Sequence, residues 1–138
     1  MGISIGTNRK ELSMGYGSFM VFRVEIAKAF SKKFGEKYEA YLRDTLMNMC
    51  HPQALDLIDK RFNEYLSTVK IPDDVLDFLF QSDVKGKITY TTARKIRDLC
   101  NKSTYKNKFG YYSDTRTMQE IAEIFDDAVK HRCNVKWS

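Results

Sequence analysis

The stretch Gly2-Ile3-Ser4-Ile5-Gly6-Thr7-Asn8-Arg9-Lys10-Glu11-Leu12-Ser13-Met14-Gly15-Tyr16 decides how this chain is read. Ile3 and Ile5 fall on one side of an extended chain and Ser4 on the other. After the polar segment Gly6 to Lys10 the alternation resumes with Leu12, Met14 and Tyr16. Two short alternating runs around a polar, glycine-containing turn predict a β-hairpin. A lone hairpin is marginal in water and needs a third strand or a helix against it. The far end of the chain offers one. In Asn134-Val135-Lys136-Trp137-Ser138, Val135 and Trp137 share a face if the segment is a strand. The expectation is a tail paired with the hairpin, a small sheet packed on helices, and Trp137 as its anchor.

Between these ends the apolar period is helical. Gly17-Ser18 offers a helix start with Ser18 as N-cap. Phe19, Phe22, Arg23, Ile26, Phe30 and Phe34 follow at helical spacing, and Gly35 reads as a stop. A second helix is expected from Glu36 to Met49, with Tyr38, Tyr41, Leu42, Thr45, Leu46 and Met49 inward. His51-Pro52 ends it, because the residue before a proline avoids the helical region, and Pro52 suits the first turn of a third helix. That helix presents Leu55, Ile58, Phe62, Tyr65, Leu66 and Val69. Pro72-Asp73-Asp74 starts a short, nearly all-apolar fourth helix, its acidic residues at the positive end of the dipole. Ser82 to Lys87 reads as a polar turn in which Gly86 supplies an unusual backbone angle. Thr91 or Thr92 caps a fifth helix to Asn101. Residues 102–114 show no period and read as a loop. The last helix runs from Thr115 to His131, with Thr117 and Glu120 spaced as a capping box. The fold class expected is α+β and predominantly helical, with five or six helices and a small antiparallel sheet from an N-terminal hairpin and a C-terminal strand, in a single domain spanning 1–138.

The chain has 138 residues, enough for one hydrophobic core without staples. Hydrophobic residues make up 43% and charged residues 30%, a globular composition. Three widely spaced cysteines, Cys50, Cys100 and Cys133, without a Cys-x-x-Cys argue against a disulfide framework or a zinc site and fit a reducing cytoplasm. No run of about 18 apolar residues exists to span a membrane. His51 and His131 have no neighbour at metal-ligand spacing. Asp83, Gly86 and Ile88 resemble half a calcium loop, but Lys85 and Lys87 stand where oxygen ligands belong. No Gly-x-Ser-x-Gly, P-loop or Gly-x-Gly-x-x-Gly occurs. No enzyme activity, catalytic residue, metal or cofactor is therefore expected.

Binding is the remaining class. The net charge is +5, which favours an acidic partner. From Lys85 to Arg116 nine Lys or Arg residues meet two Asp, with tyrosines among them. Arg94, Lys95, Arg97, Lys102, Lys106, Lys108 and Arg116 would neutralise phosphates if they converge, and Tyr105, Tyr111 or Tyr112 would stack on a base. The plain alternative is a solvated surface with some tyrosines tucked into the core. Gly15-Tyr16-Gly17-Ser18 is a second place of interest, because backbone N–H groups at a helix N-terminus attract phosphate and glycines permit close approach. The same glycines also suit an ordinary strand-to-helix turn.

Phe80-Gln81-Ser82-Asp83-Val84-Lys85-Gly86-Lys87-Ile88, together with the tail Cys133-Asn134-Val135-Lys136-Trp137-Ser138, resembles small uncharacterised proteins of Gram-positive bacteria and their phages. The resemblance covers two short patches and brings no activity with it. It implies a context: small phage accessory proteins often act by binding, including blocking host defence. The expected function is a small non-enzymatic binding protein of phage accessory or anti-defence type. It would sequester a phosphorylated ligand such as a signalling nucleotide, or mask the acidic face of a host protein. The alternative is a nucleic-acid-binding module using the basic surface of residues 94–116. A homo-oligomer is left open.

Overall fold

The computed structural model describes residues 2–110 and 115–138. In chain order the elements are β1 (Gly2–Gly6), β2 (Glu11–Gly15), α1 (Tyr16–Phe30), α2 (Lys32–Met47), α3 (Pro52–Leu66), α4 (Asp73–Phe80), β3 (Gly86–Ile88), α5 (Tyr90–Lys102), α6 (Met118–His131) and β4 (Val135–Trp137). The described residues thus form the expected class: six helices and a small antiparallel sheet that includes the N-terminal hairpin and the C-terminal strand.

The sheet order is β2-β1-β4-β3. β1 and β2 pair from Gly2↔Gly15 to Gly6↔Glu11, so Ile3 opposes Met14 and Ile5 opposes Leu12. The hairpin turn closes with the Thr7 N–H donating to the Lys10 carbonyl at 2.8 Å. The Thr7 hydroxyl then donates to the buried carboxylate of Asp127 on α6 at 2.6 Å. One side-chain bond thereby fixes the hairpin to the helical layer. β4 pairs with β1 through Ile5↔Trp137 and Gly6↔Lys136.

The fourth strand corrects the reading of Ser82 to Lys87 as only a turn. Gly86–Ile88 pairs with β4 through Gly86↔Trp137 and Ile88↔Val135. Gly86 is not in the left-handed region, which among the described glycines holds only Gly110, at φ 98°. A Cβ on Gly86 would instead run into the Trp137 indole. The residue is small because the indole occupies the space a side chain would need. Gly35 is likewise no stop signal. It sits in the first turn of α2, where a Cβ would strike the backbone of Lys28 on α1. α1 ends at Phe30, and Ser31 caps α2 by accepting from the Phe34 N–H at 3.3 Å.

The core is aromatic. Trp137 lies 5.4 Å from Phe19 and 5.7 Å from Phe78 between ring centroids. Phe22 stacks on Phe125 at 6.0 Å and meets Phe109 edge-on at 5.9 Å. Rings at such separations and angles add attraction beyond their buried area. Phe19, Phe22, Arg23 and Ile26 are buried as the α1 stripe requires, and so is Phe34 one helix later. The inward face expected for the second helix is shorter than its period suggests. Tyr38 is buried, but Leu46, Met47 and Met49 are 57%, 73% and 63% exposed. The last turn of α2 and the residues just after it are left uncovered. No helix of the described residues is long and apolar enough to cross a membrane.

Candidate functional site

α5 packs mainly on α6, and this pairing settles part of the basic segment. Lys95 reaches back to Asp74 at the start of α4, at 2.9 Å. Arg97 holds Asp98 at 3.1 Å and Asp126 of α6 at 3.2 Å. Asp126 also takes Lys130 at 3.1 Å. The hydrogen bond from Lys130 is the main reason the Asp126 carboxyl is held below its usual range, against burial and with help from Arg97. Burial would raise Asp74, but Lys95 and the Val75 N–H outweigh it and its pKa is lowered. Lys95 and Arg97 are therefore committed to the protein's own carboxylates. Arg94, Lys102, Lys106 and Lys108 are exposed and make no ion pair among the described residues.

Past α5 the chain is held by a few anchors. The Tyr105 ring stacks on Phe109, 4.7 Å between centroids and 21° from parallel. Phe109 is buried, and its backbone bridges to Arg116 in both directions at 2.7 and 2.8 Å. Arg116 is half-buried, and its Nη1 donates to the Thr115 carbonyl at 2.9 Å. Tyr111 and Tyr112 lie outside the described residues.

Tyr105 divides two hollows. One, of about 410 Å³, lies toward Lys106, Asn107 and the start of α6. The other, of about 600 Å³, has Tyr105, Lys108 and Phe109 on one side and Gly15, Tyr16, Gly17 and Ser18 on the other. The two stretches that the sequence singled out separately meet in this larger cleft. α1 enters it bare. Its N-cap is Gly15, with no side-chain cap and no acidic residue in the first turn. Ser18 is inside the helix and does not serve as its cap. Gly17 is exposed, and a Cβ there would touch nothing within 4 Å. The backbone N–H groups of a first helical turn carry partial positive charge, and here that turn lies across a cleft from Lys108. Of the predicted residues, Tyr105 and Lys108 line this cleft. Arg94, Lys95, Arg97, Lys102, Lys106 and Arg116 do not.

Other chemistries find little here. Burial pushes the Cys100 thiol up to about 12, too high for a ready nucleophile. Cys50 is exposed and Cys133 half-buried, and neither is bonded to another cysteine. No group of three His, Cys, Asp or Glu side chains among the described residues is placed to hold a metal ion. No protein-family model, curated protein or solved structure matches this chain.

Proposed function

We propose that this is a small non-enzymatic binding protein that sequesters a phosphorylated, ring-bearing small molecule, of the signalling-nucleotide kind, in the cleft between the start of α1 and residues 105–110. The observation that carries the reading is the convergence of an uncapped helix N-terminus, Lys108 and the Tyr105 ring on one cleft of about 600 Å³. That volume suits a small molecule. The phosphate would sit on the first-turn N–H groups, where Gly17 leaves room. Lys108 would add a full charge, and Tyr105 an aromatic edge for the base. An accessory or anti-defence role of phage type is the setting in which such sequestration would act.

The reading requires no nucleophile and no metal. It gives the helix face of α5 no part, since Lys95 and Arg97 already have carboxylate partners. The test is native mass spectrometry of the purified protein, followed by thermal melting with nucleoside mono-, di- and cyclic phosphates. A binder melts later as ligand is added, and Lys108→Glu and Gly17→Asp each remove the gain. A partner that instead proves to be single-stranded nucleic acid, with affinity falling steeply as salt rises, overturns the small-molecule reading. So does a melting gain that both variants retain.

A further inference from the structure

Granting the nucleotide reading of the α1 cleft, on which this rests, we propose that the ligand is a dinucleotide, with one base and one phosphate on each side of Tyr105. Tyr105 belongs to the lining of both hollows. Phe109 covers one face of its ring at 4.7 Å between centroids, and lines only the larger hollow. The residues after Tyr105 divide two and two. Lys106 and Asn107 line the hollow of about 410 Å³, and Lys108 and Phe109 that of about 600 Å³. Each hollow thus has a lysine of its own. Both lysines are exposed and make no ion pair among the described residues. Two residues apart, their Cα atoms lie within about 7 Å of each other, close enough to serve two phosphates of one small ligand.

The two hollows suit their bases differently. The larger is walled by Met20, Val21 and Tyr105, surface on which a base packs by its flat face. The smaller presents amides: Asn101, Asn107 and Gln119 are exposed in its lining. An amide side chain carries a donor and an acceptor side by side and pairs bidentately with the edge of adenine. Ser103 belongs to the same wall. Its hydroxyl accepts from the Tyr105 N–H at 3.2 Å and keeps its own proton for a ligand. α6 also begins here, but Thr117 and Glu120 cap it with reciprocal bonds of 3.1 Å. That places a carboxylate at the helix start and leaves Lys106 as the phosphate partner on this side, in contrast to the bare start of α1. A ligand with a single ring would fill one hollow and leave the amides of the other to water.

The test is calorimetric titration of the full chain with AMP, ADP, diadenylate in its linear 5′-phosphorylated and cyclic forms, the guanine counterparts, and a six-nucleotide oligoadenylate. One form of diadenylate should bind at least about tenfold more tightly than AMP or ADP. Lys106→Glu and Gln119→Ala should bring it down toward the affinity of AMP and leave AMP itself unchanged. Lys108→Glu should weaken all of them. The dinucleotide is overturned if AMP or ADP binds as tightly as either dinucleotide, or if Lys106→Glu and Gln119→Ala leave dinucleotide affinity unchanged or weaken AMP equally. The α1 cleft reading survives those outcomes as long as Lys108→Glu still removes binding. An oligoadenylate that binds more tightly than both dinucleotides also overturns the proposal, by making the ligand a strand. If none of the nucleotides binds, the dinucleotide and the α1 cleft reading fall together.

Discussion

Residues 80–88 and the described part of 103–116 are both polar, lysine-bearing connections that follow a helix, yet they are held in different ways. The first is gripped from the core. Tyr38 donates to the Leu79 carbonyl, Arg23 to that of Gln81, and the Trp137 indole to that of Ser82 at 2.9 Å. These carbonyls end α4, where a helix leaves acceptors unpaired and favours a cation. The Gln81 side chain then ties the connection across itself, accepting from the Lys87 N–H at 2.9 Å and donating to its carbonyl at 2.8 Å. Among its described residues the second connection has one backbone bridge, Phe109 to Arg116, the Tyr105–Phe109 stack, the edge contact of Phe109 with Phe22, and the Tyr105 N–H donating to the Ser103 hydroxyl at 3.2 Å. Composition does not separate the two. Among the described residues, what separates them is whether buried side-chain donors from distant elements reach their carbonyls.

The largest test of this contrast is Trp137→Ala. It removes a buried ring and the donor to Ser82 together, and should cost about 3–5 kcal/mol in urea unfolding. A loss below about 1 kcal/mol would mean that the core does not hold the 80–88 connection. Gly86→Ala comes next. The new methyl meets the indole, so a destabilisation of about 1–3 kcal/mol is expected, with a change in Trp137 fluorescence at native conditions. Hydrogen exchange sharpens the same point without mutation. The Lys87 amide should exchange near the rate set by global unfolding and the Tyr105 amide far faster. Equal protection would erase the distinction.

Much of this architecture was legible in the residues. The alternation of Ile3, Ile5, Leu12 and Met14 gave the hairpin, the 3.6-residue recurrence of Phe19, Phe22, Arg23 and Ile26 gave α1, and Thr117 with Glu120 gave the capping box, whose two bonds are both 3.1 Å. β3 was hidden because it is three residues long and its partner, β4, lies nearly fifty residues away. Periodicity reports which face of an element is buried, not what it meets. For the same reason Lys95 and Arg97 looked available: their carboxylates, Asp74 and Asp126, come from other helices. The cleft was legible in halves. Gly15 to Ser18 and the 102–114 loop each drew notice, but their meeting depends on how the fold brings ends ninety residues apart together. The place of Arg23 in the α1 stripe was legible, but not the carbonyls of Gln81 and Ser82 that it reaches, which come from a distant part of the chain.

A gentler substitution separates the α1 cleft from the scaffold. Gly17→Ala places a methyl where nothing lies within 4 Å and removes a helical glycine. It should stabilise the fold by up to about 1 kcal/mol. A gain in melting temperature with weaker nucleotide binding would place the ligand against the first turn of α1. A gain with unchanged binding would move it toward Tyr105 and Lys108 alone.

The smallest effect concerns the committed cations. Asp126 is held below the ordinary carboxylate range chiefly by Lys130, with burial opposing and Arg97 assisting. A carboxylate lowered in the folded state stabilises the fold fully above its unfolded pKa of about 3.9. That contribution fades as pH falls through the lower, folded value. Lys130→Gln removes the first of its partners, so the Asp126 carboxyl should titrate at higher pH by NMR and acid unfolding should begin earlier. The pair is i,i+4 and largely solvated, with the Lys130 side chain 69% exposed. Its loss at neutral pH should therefore stay within about 0.2–0.5 kcal/mol. Nucleotide binding should not change, because this charge cluster is spent within the fold. Charge reversal at Lys108 should do the reverse, abolishing binding while leaving stability within about 0.5 kcal/mol. If Lys130→Gln weakened ligand binding as much as Lys108→Glu, the α5–α6 face would belong to the site after all, and the division between spent and available cations would fall.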